Sequence, residues 1–161
     1  MSKAAYFGSF DPFHNGHLDI IKKASKVFDE VFIVIGFNSN KKRKYDHDDM
    51  KNVISEVLRT HSLNNCHVDV CFGLAIHYCE EHDISFMIRG LRNNMDYNYE
   101  ENIALVNKQI NPHIETVYFR ADKNSISSSV IREFFFYNED VSSYVPKPVL
   151  EHMKRCVNVN S

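Results

Sequence analysis

The chain has 161 residues, 43% of them apolar and 25% charged, which suits one soluble globular domain with a sizeable core and excludes a multidomain machine. Nineteen Lys and Arg against 21 Asp and Glu leave a formal net charge of -2, excluding a general binder of nucleic acid backbone. The longest apolar run, Val31 to Phe37, is far short of a membrane span.

In chain order, the first strand is expected at Lys3 to Phe7, followed by a helix with the apolar stripe Ile20, Ile21, Ala24, Val27 and Phe28. A second strand at Glu30 to Ile35 precedes a helix carrying Met50, Val53, Ile54, Val57 and Leu58. Strands follow at His67 to Phe72 and Ile84 to Ile88, then a helical stripe of Tyr99, Ile103, Val106 and Ile110. The fifth strand is expected at Ile114 to Phe119 and a fourth stripe at Val130, Ile131, Phe134 and Phe135. Pro146 and Pro148 open a last helix to about Arg155, because proline is tolerated in a first turn.

This rhythm predicts an α/β fold: a Rossmann-like, doubly wound, five-stranded parallel sheet with helices on both faces and a C-terminal helical extension. Of five glycines, Gly8, Gly36, Gly73 and Gly90 fall at strand ends and Gly16 opens the first helix. Ligands of open α/β sheets sit at that carboxyl edge, where glycine lets backbone approach them. Met1 leads straight into the first strand without an apolar signal segment, so an intracellular, cytoplasmic protein is expected, with neither membrane nor nucleic acid as partner. Cys66, Cys71, Cys79 and Cys156 form no C-x-x-C pair and are expected to be reduced thiols.

The turn Gly-Ser-Phe-Asp-Pro-Phe-His-Asn-Gly-His at 8–17 places Ser9, His14, His17 and free helix amides where a phosphate could dock. Imidazole N–H groups donate to a phosphoryl oxygen as its charge grows, without a fixed charge that would favour the ground state equally. Neither G-x-G-x-x-G nor G-x-x-x-x-G-K-[ST] is present, so dehydrogenase and P-loop readings lose their support. A surface pair or a zinc pair is the plainer reading of the histidines, but their spacing departs from the i, i+4 of helical zinc sites. Asp11, before Pro12, reads as a turn residue. Past the fourth strand, Arg89 and Arg92 flank Gly90, and guanidinium forks match phosphate oxygens. With strand order 3-2-1-4-5, strands 1 and 4 flank one crevice. Asp96 reads as the N-cap of the following helix and Tyr99 as core. Ser127, Ser128 and Ser129 open a helix after the last strand, either as a simple cap or as an anion cradle.

The G-[TS]-F-D-P-x-x-x-G-H turn resembles the signature of nucleotidyltransferases with an H-x-G-H-type motif, here His14 to His17. Together with Arg89-Gly90-Leu91-Arg92, Asp96-Tyr97-Asn98-Tyr99-Glu100 and Ile126-Ser127-Ser128-Ser129, nearly the whole chain resembles the bacterial phosphopantetheine adenylyltransferase family. The resemblance implies one nucleotidyltransferase domain over 1–161 that transfers the adenylyl group of ATP to 4'-phosphopantetheine without a covalent enzyme intermediate. It implies catalytic roles for His17 at the α-phosphate, Ser9 between the reacting phosphates, and Lys41 at the transition state, with Lys42 the alternative inside the basic run Lys41 to Lys44. For ATP it implies Ser9, Phe10, His17, Gly90, Leu91, Arg92 and Glu100, then Asn124, Ser125, Ile126 and Ser127 to Ser129. For the acceptor it implies Ser9, Lys41, Arg89, Asn107 and, beside Gly73, Leu74 and Ala75. Magnesium, held mainly by substrate phosphates and by no protein ligand set, is the implied cofactor; a homohexamer and feedback by coenzyme A are implied as well. Ser9 stands where threonine is usual and Arg132 where lysine is frequent; neither removes a needed group. The rivals are a nucleotidyltransferase with another small phosphate acceptor such as nicotinate mononucleotide, and a nonenzymatic nucleotide-binding or RNA-binding module.

Overall fold

The computed structural model describes residues 1–37, 42–91, 94–122 and 126–159, without the side chains of 94–101 and of 159. β1 (Lys3–Gly8), β2 (Glu30–Gly36), β3 (Cys66–Cys71), β4 (Phe86–Leu91) and β5 (Glu115–Arg120) form one parallel sheet in the order β3-β2-β1-β4-β5. Between and after them lie α1 (Asn15–Val27), α2 (His47–Thr60), α3 (Ala75–Glu81), α4 (Asn94–Ile110), α5 (Ser128–Phe136) and α6 (Lys147–Val159).

Successive strand residues point to opposite faces, and both faces are apolar, so the central strands divide their side chains between two cores. Ala4, Tyr6, Ile33, Ile35 and Ile88 join the buried faces of α1, α2 and α6. Ala5, Phe7, Val34 and Met87 join Ile76, Tyr78 and Cys79 of α3. The sheet is therefore wound on both sides, as the alternating pattern predicts.

Several expectations are corrected. β4 begins two residues later than expected and runs through Arg89 and Gly90, which read as loop but pair with Tyr118 and Phe119 of β5. α3 was not expected; its seven residues hold too few turns to show a helical period. Asp96 lies inside α4, not at its N-cap, because the helix already starts at Asn94. Val27 is 62% exposed, since α1 ends there and Phe28 alone turns inward. Val106, Ile110 and Phe134, expected in the core, are also exposed. Tyr99's expected core position falls outside the described side chains.

Candidate active site

β1 and β4 are neighbours, and β1 also pairs with β2, so the chain reverses its winding direction at the carboxyl ends of β1 and β4. A cleft of about 240 Å³ opens there, lined by His14, His17, Arg89, Gly90, Ser127 and Ser128 among others. This is where a doubly wound sheet binds its ligand.

The turn leading into the cleft is shaped by Gly8 and Phe10. A Cβ on Gly8 would come within 2.9 Å of the Phe10 ring, so glycine is needed for that ring to fold beneath the strand end. Phe10 adopts φ 47°, and its buried ring packs edge-on against Tyr6 and His17. Its side chain thus belongs to the floor, and only its main chain is on the turn. Ser9 is left exposed at the tip.

His14 caps α1. Its Nδ1 accepts from Gly16 N at 3.1 Å and His17 N at 3.4 Å, while His14 N donates to His17 Nδ1 at 3.0 Å. This is a capping box built from two imidazoles instead of a hydroxyl and a carboxylate. The rings stack with centroids 3.6 Å apart. Because Nδ1 accepts in both, the neutral form of each ring carries its proton on Nε2. The cap therefore fixes the tautomer that can donate from Nε2 to an anion in the cleft.

From β4 come Arg89, Gly90 and Leu91. A Cβ on Gly90 would meet Ile20 and the Tyr6 hydroxyl at no less than 3.5 Å, so the fold would admit one; it would occupy cleft space instead. From α5 come Ser127, the N-cap accepting from Val130 N, and Ser128, whose hydroxyl donates to the Pro12 carbonyl at 2.9 Å. Ser129 Oγ lies 3.1 Å from Ser127 Oγ but lines a larger cavity between α5 and α6. Ile126 packs against the core.

Other expected residues lie apart. Leu74, the exposed N-cap position of α3, and Ala75 sit past the carboxyl end of β3, on the same edge of the sheet. Asn107, half-buried on α4, points its amide nitrogen at Met87 Sδ, 3.8 Å away. Lys41, Arg92, Asn124 and Ser125 fall outside the described residues, as does the side chain of Glu100.

Sequence reading missed what ties these segments together. Asp11, buried at the turn, accepts from Lys44 N at 2.9 Å and Tyr45 N at 2.8 Å, with Arg43 Nη2 at 4.0 Å and Arg132 Nη1 at 3.8 Å. Arg132 also donates to the Asp11 carbonyl. Burial pulls the Arg43 guanidinium below its ordinary value, an effect that Asp11 opposes, and burial pushes the Tyr45 hydroxyl up to about 12. Only the residue types were visible in the sequence; the amide partners are 33 and 34 residues from Asp11, and Arg132 is 121 away.

A doubly wound sheet with a histidine-capped helix, an arginine and serines at its switch point defines a nucleotidyltransferase-like domain. Residues 5–134 match the Cytidylyltransferase-like family. A phosphopantetheine adenylyltransferase of Shouchella clausii is 36% identical over 156 residues, covering 96% of this chain and 97% of its own. One from Syntrophomonas wolfei is 40% identical over 151 residues, 92% of each chain. A solved structure from Vibrio parahaemolyticus, given provisionally as a nicotinate-nucleotide adenylyltransferase, shares the fold with a TM-score of 0.72 at 18% identity, covering 96% of this chain and 93% of that one. The chain belongs to the phosphopantetheine adenylyltransferase family within the cytidylyltransferase-like group.

Proposed function

We propose that the chain transfers the adenylyl group of ATP to the phosphate of 4'-phosphopantetheine, releasing pyrophosphate and forming dephospho-coenzyme A. The observation that carries this reading is the imidazole capping box of α1, its tautomers set for donation from Nε2, in one cleft with Arg89 and the α5 N-terminus. The acceptor is supported by the relatives bearing that activity's name over nearly the full chain.

The chemistry asks little of the protein beyond placement. A phosphate monoester is largely dianionic near neutral pH, so the attacking oxygen needs no general base and no side-chain nucleophile. Catalysis then rests on holding two polyanions in line and stabilising charge growing on the α-phosphoryl group. In this reading His17 donates to the α-phosphoryl oxygens, with His14 beside it. Ser9 bridges the reacting phosphates, and Lys41 or Lys42 approaches from the loop after β2. Arg89 holds the acceptor phosphate; Arg92, Ser127 and Ser128 hold the ATP phosphates, with Ser129 behind them at Ser127 Oγ. Phe10, Gly90, Leu91, Glu100 and Asn124 to Ile126 border the nucleotide, and Leu74, Ala75 and Asn107 the pantetheine arm.

Among the described residues the cleft lining contains no carboxylate, and no group of three or more His, Cys, Asp or Glu able to hold a metal occurs. These described donors do not fit a resident magnesium ion, which in this reading enters as part of the ATP complex, held by phosphates and water. Coenzyme A carries the acceptor's own arm and would compete for the same cleft. We further propose that the chain acts as one catalytic domain, assembles as a homohexamer and works in the cytoplasm; no described helix is long and apolar enough to cross a membrane.

The test is pyrophosphate release from ATP and magnesium with 4'-phosphopantetheine, nicotinate mononucleotide or glycerol 3-phosphate, with His17→Ala as control. Release with phosphopantetheine alone, lost in the variant, is the expected result. Release with another acceptor instead overturns the substrate, and silence with all three overturns the activity.

A further inference from the structure

Arg43 lies in the basic run Lys41 to Lys44, where charge density reads as a solvated loop, yet its side chain is only 12% exposed. Nη1 donates to the Ser9 carbonyl at 2.6 Å and Nε to the Tyr45 carbonyl at 2.9 Å. Nη2 is buried without a hydrogen bond and faces Asp11 Oδ1 at 4.0 Å, an ion-pair separation. Removing a guanidinium from water is costly unless its partners are well placed, and a loop needing only solubility would leave it outside. The planar fork reaches two carbonyls and a carboxylate at once; one ammonium could not.

What the fork joins is specific. The Ser9 carbonyl belongs to the turn whose hydroxyl bears on the reacting phosphates, and Arg43 directly follows Lys42 in chain order. Asp11 receives the next two amides of the same segment, Lys44 N and Tyr45 N, and is also approached by Arg132 of α5.

We propose that Arg43 is a positioning residue for the transfer: by bridging the Ser9 carbonyl and Asp11, it fixes the Ser9 turn relative to the lysine-bearing segment, so that both reach the phosphates in register. The inference rests on the adenylyl-transfer reading and deepens it. Arg43 itself touches no substrate. It acts through the placement of Ser9.

The test compares Arg43→Ala, Arg43→Gln and Arg43→Lys with the parent in steady-state kinetics, ATP binding and amide hydrogen exchange over residues 9–17. Displacement of reacting groups by about an ångström costs on the order of 10²-fold, so Arg43→Ala should lower kcat by roughly that factor. ATP affinity should stay within about threefold, the signature of an interaction realised in the transition state. Arg43→Lys should recover little, whereas added guanidinium ion, but not methylammonium, should restore part of the Arg43→Ala rate. Ser9→Ala should cost much less in the Arg43→Ala background than in the parent, since one displacement already spoils both.

A lower melting temperature with kcat within about twofold of the parent would show a merely structural arginine and overturn the proposal. So would effects of Ser9→Ala and Arg43→Ala that simply multiply. Arg43→Gln, which keeps most of the stem, carries the same comparisons if Arg43→Ala fails to fold. If the parent does not turn over phosphopantetheine, the functional reading falls. The exchange data then decide the clamp alone: faster exchange at residues 9–11 upholds it, and unchanged exchange there overturns it.

Discussion

His14 does the work that Ser, Thr, Asp or Asn usually does at an N-cap, and the substitution of imidazole for hydroxyl or carboxylate separates two jobs in one ring. Nδ1 holds the helix; Nε2 is the edge that can serve an anion. His14→Asn should therefore keep the cap and leave unfolding free energy within about 0.5 kcal/mol, because Asn is a good N-cap. Its turnover should fall about 10²-fold, the usual loss of one oriented donor, as read by urea melts beside pyrophosphate release. A second histidine, His152, is buried on α6 with Nε2 3.7 Å from Cys156 Sγ. Burial lowers its pKa below the ordinary 6.5, and the nearby Asp49 opposes this only in part. Above that ordinary value the ring is neutral folded or unfolded; below it the unfolded chain takes a proton that the native ring resists, so stability falls with acidification. His152→Gln should lose less stability than the parent between about pH 7 and about pH 5, in urea midpoints measured side by side. His61, also shifted downward by burial, stays in both proteins and cancels in that comparison. The histidine pair of the turn was legible because its motif is contiguous. The Arg43–Asp11 tie was not, since nothing local tells a buried arginine from its solvated neighbours.

At the scale of elements, legibility followed length and amphipathy. α1 and α2 were readable because each repeats apolar residues along one face at helical spacing, and the structure buries Ile20, Ile21 and Ala24 in the first and Met50, Val53, Ile54, Val57 and Leu58 in the second. α3, a seven-residue helix without a side-chain cap, leaves no such trace. The end of β4 misleads for another reason: Arg89 and Gly90 are poor strand formers locally, but pairing with β5 overrides propensity. α6 was expected from Pro146 and Pro148, and its amides Val149 N and Leu150 N do close on the Pro146 carbonyl. What the pattern could not give is its dock. Met153 and Val149 are fully buried with Tyr45 and α2, directly behind the segment that carries Arg43. Met153→Ala should cost about 2–5 kcal/mol, the range for truncating a buried large side chain. Phosphopantetheine-dependent turnover of the fraction still folded should change little, because α6 lines the cavity beyond Ser129 and not the cleft at His17. A variant that kept its stability but lost turnover would place α6 inside the catalytic machinery.

For the whole molecule, strand order and winding were legible, since alternation of strands and helices constrains a parallel sheet to few topologies. The outer surface was not, because an apolar stripe looks the same whether it meets its own sheet or another copy. Leu105, Val106 and Ile110 of α4 are all close to half exposed. Phe136 and Tyr137, at the end of α5, are 77% and 66% exposed. Contiguous apolar surface is uncommon on a monomer, and a net charge of only -2 offers little repulsion against association. The two patches lie on different sides of the sheet: α5 contributes to the core shared with α1 and α6, whereas α4 packs on the strand face that holds Met87. One self-complementary patch closes a dimer, and two distinct patches are what a larger dihedral assembly, such as the proposed hexamer, requires. Light scattering should accordingly give a mass several times 18.8 kDa. Leu105→Asp with Val106→Asp should break one interface, and Phe136→Asp with Tyr137→Asp the other, each pair leaving a different smaller species while the fold is kept by circular dichroism. Identical products from the two pairs would reduce the assembly to one interface, and a parent that runs as a monomer would remove the hexamer altogether.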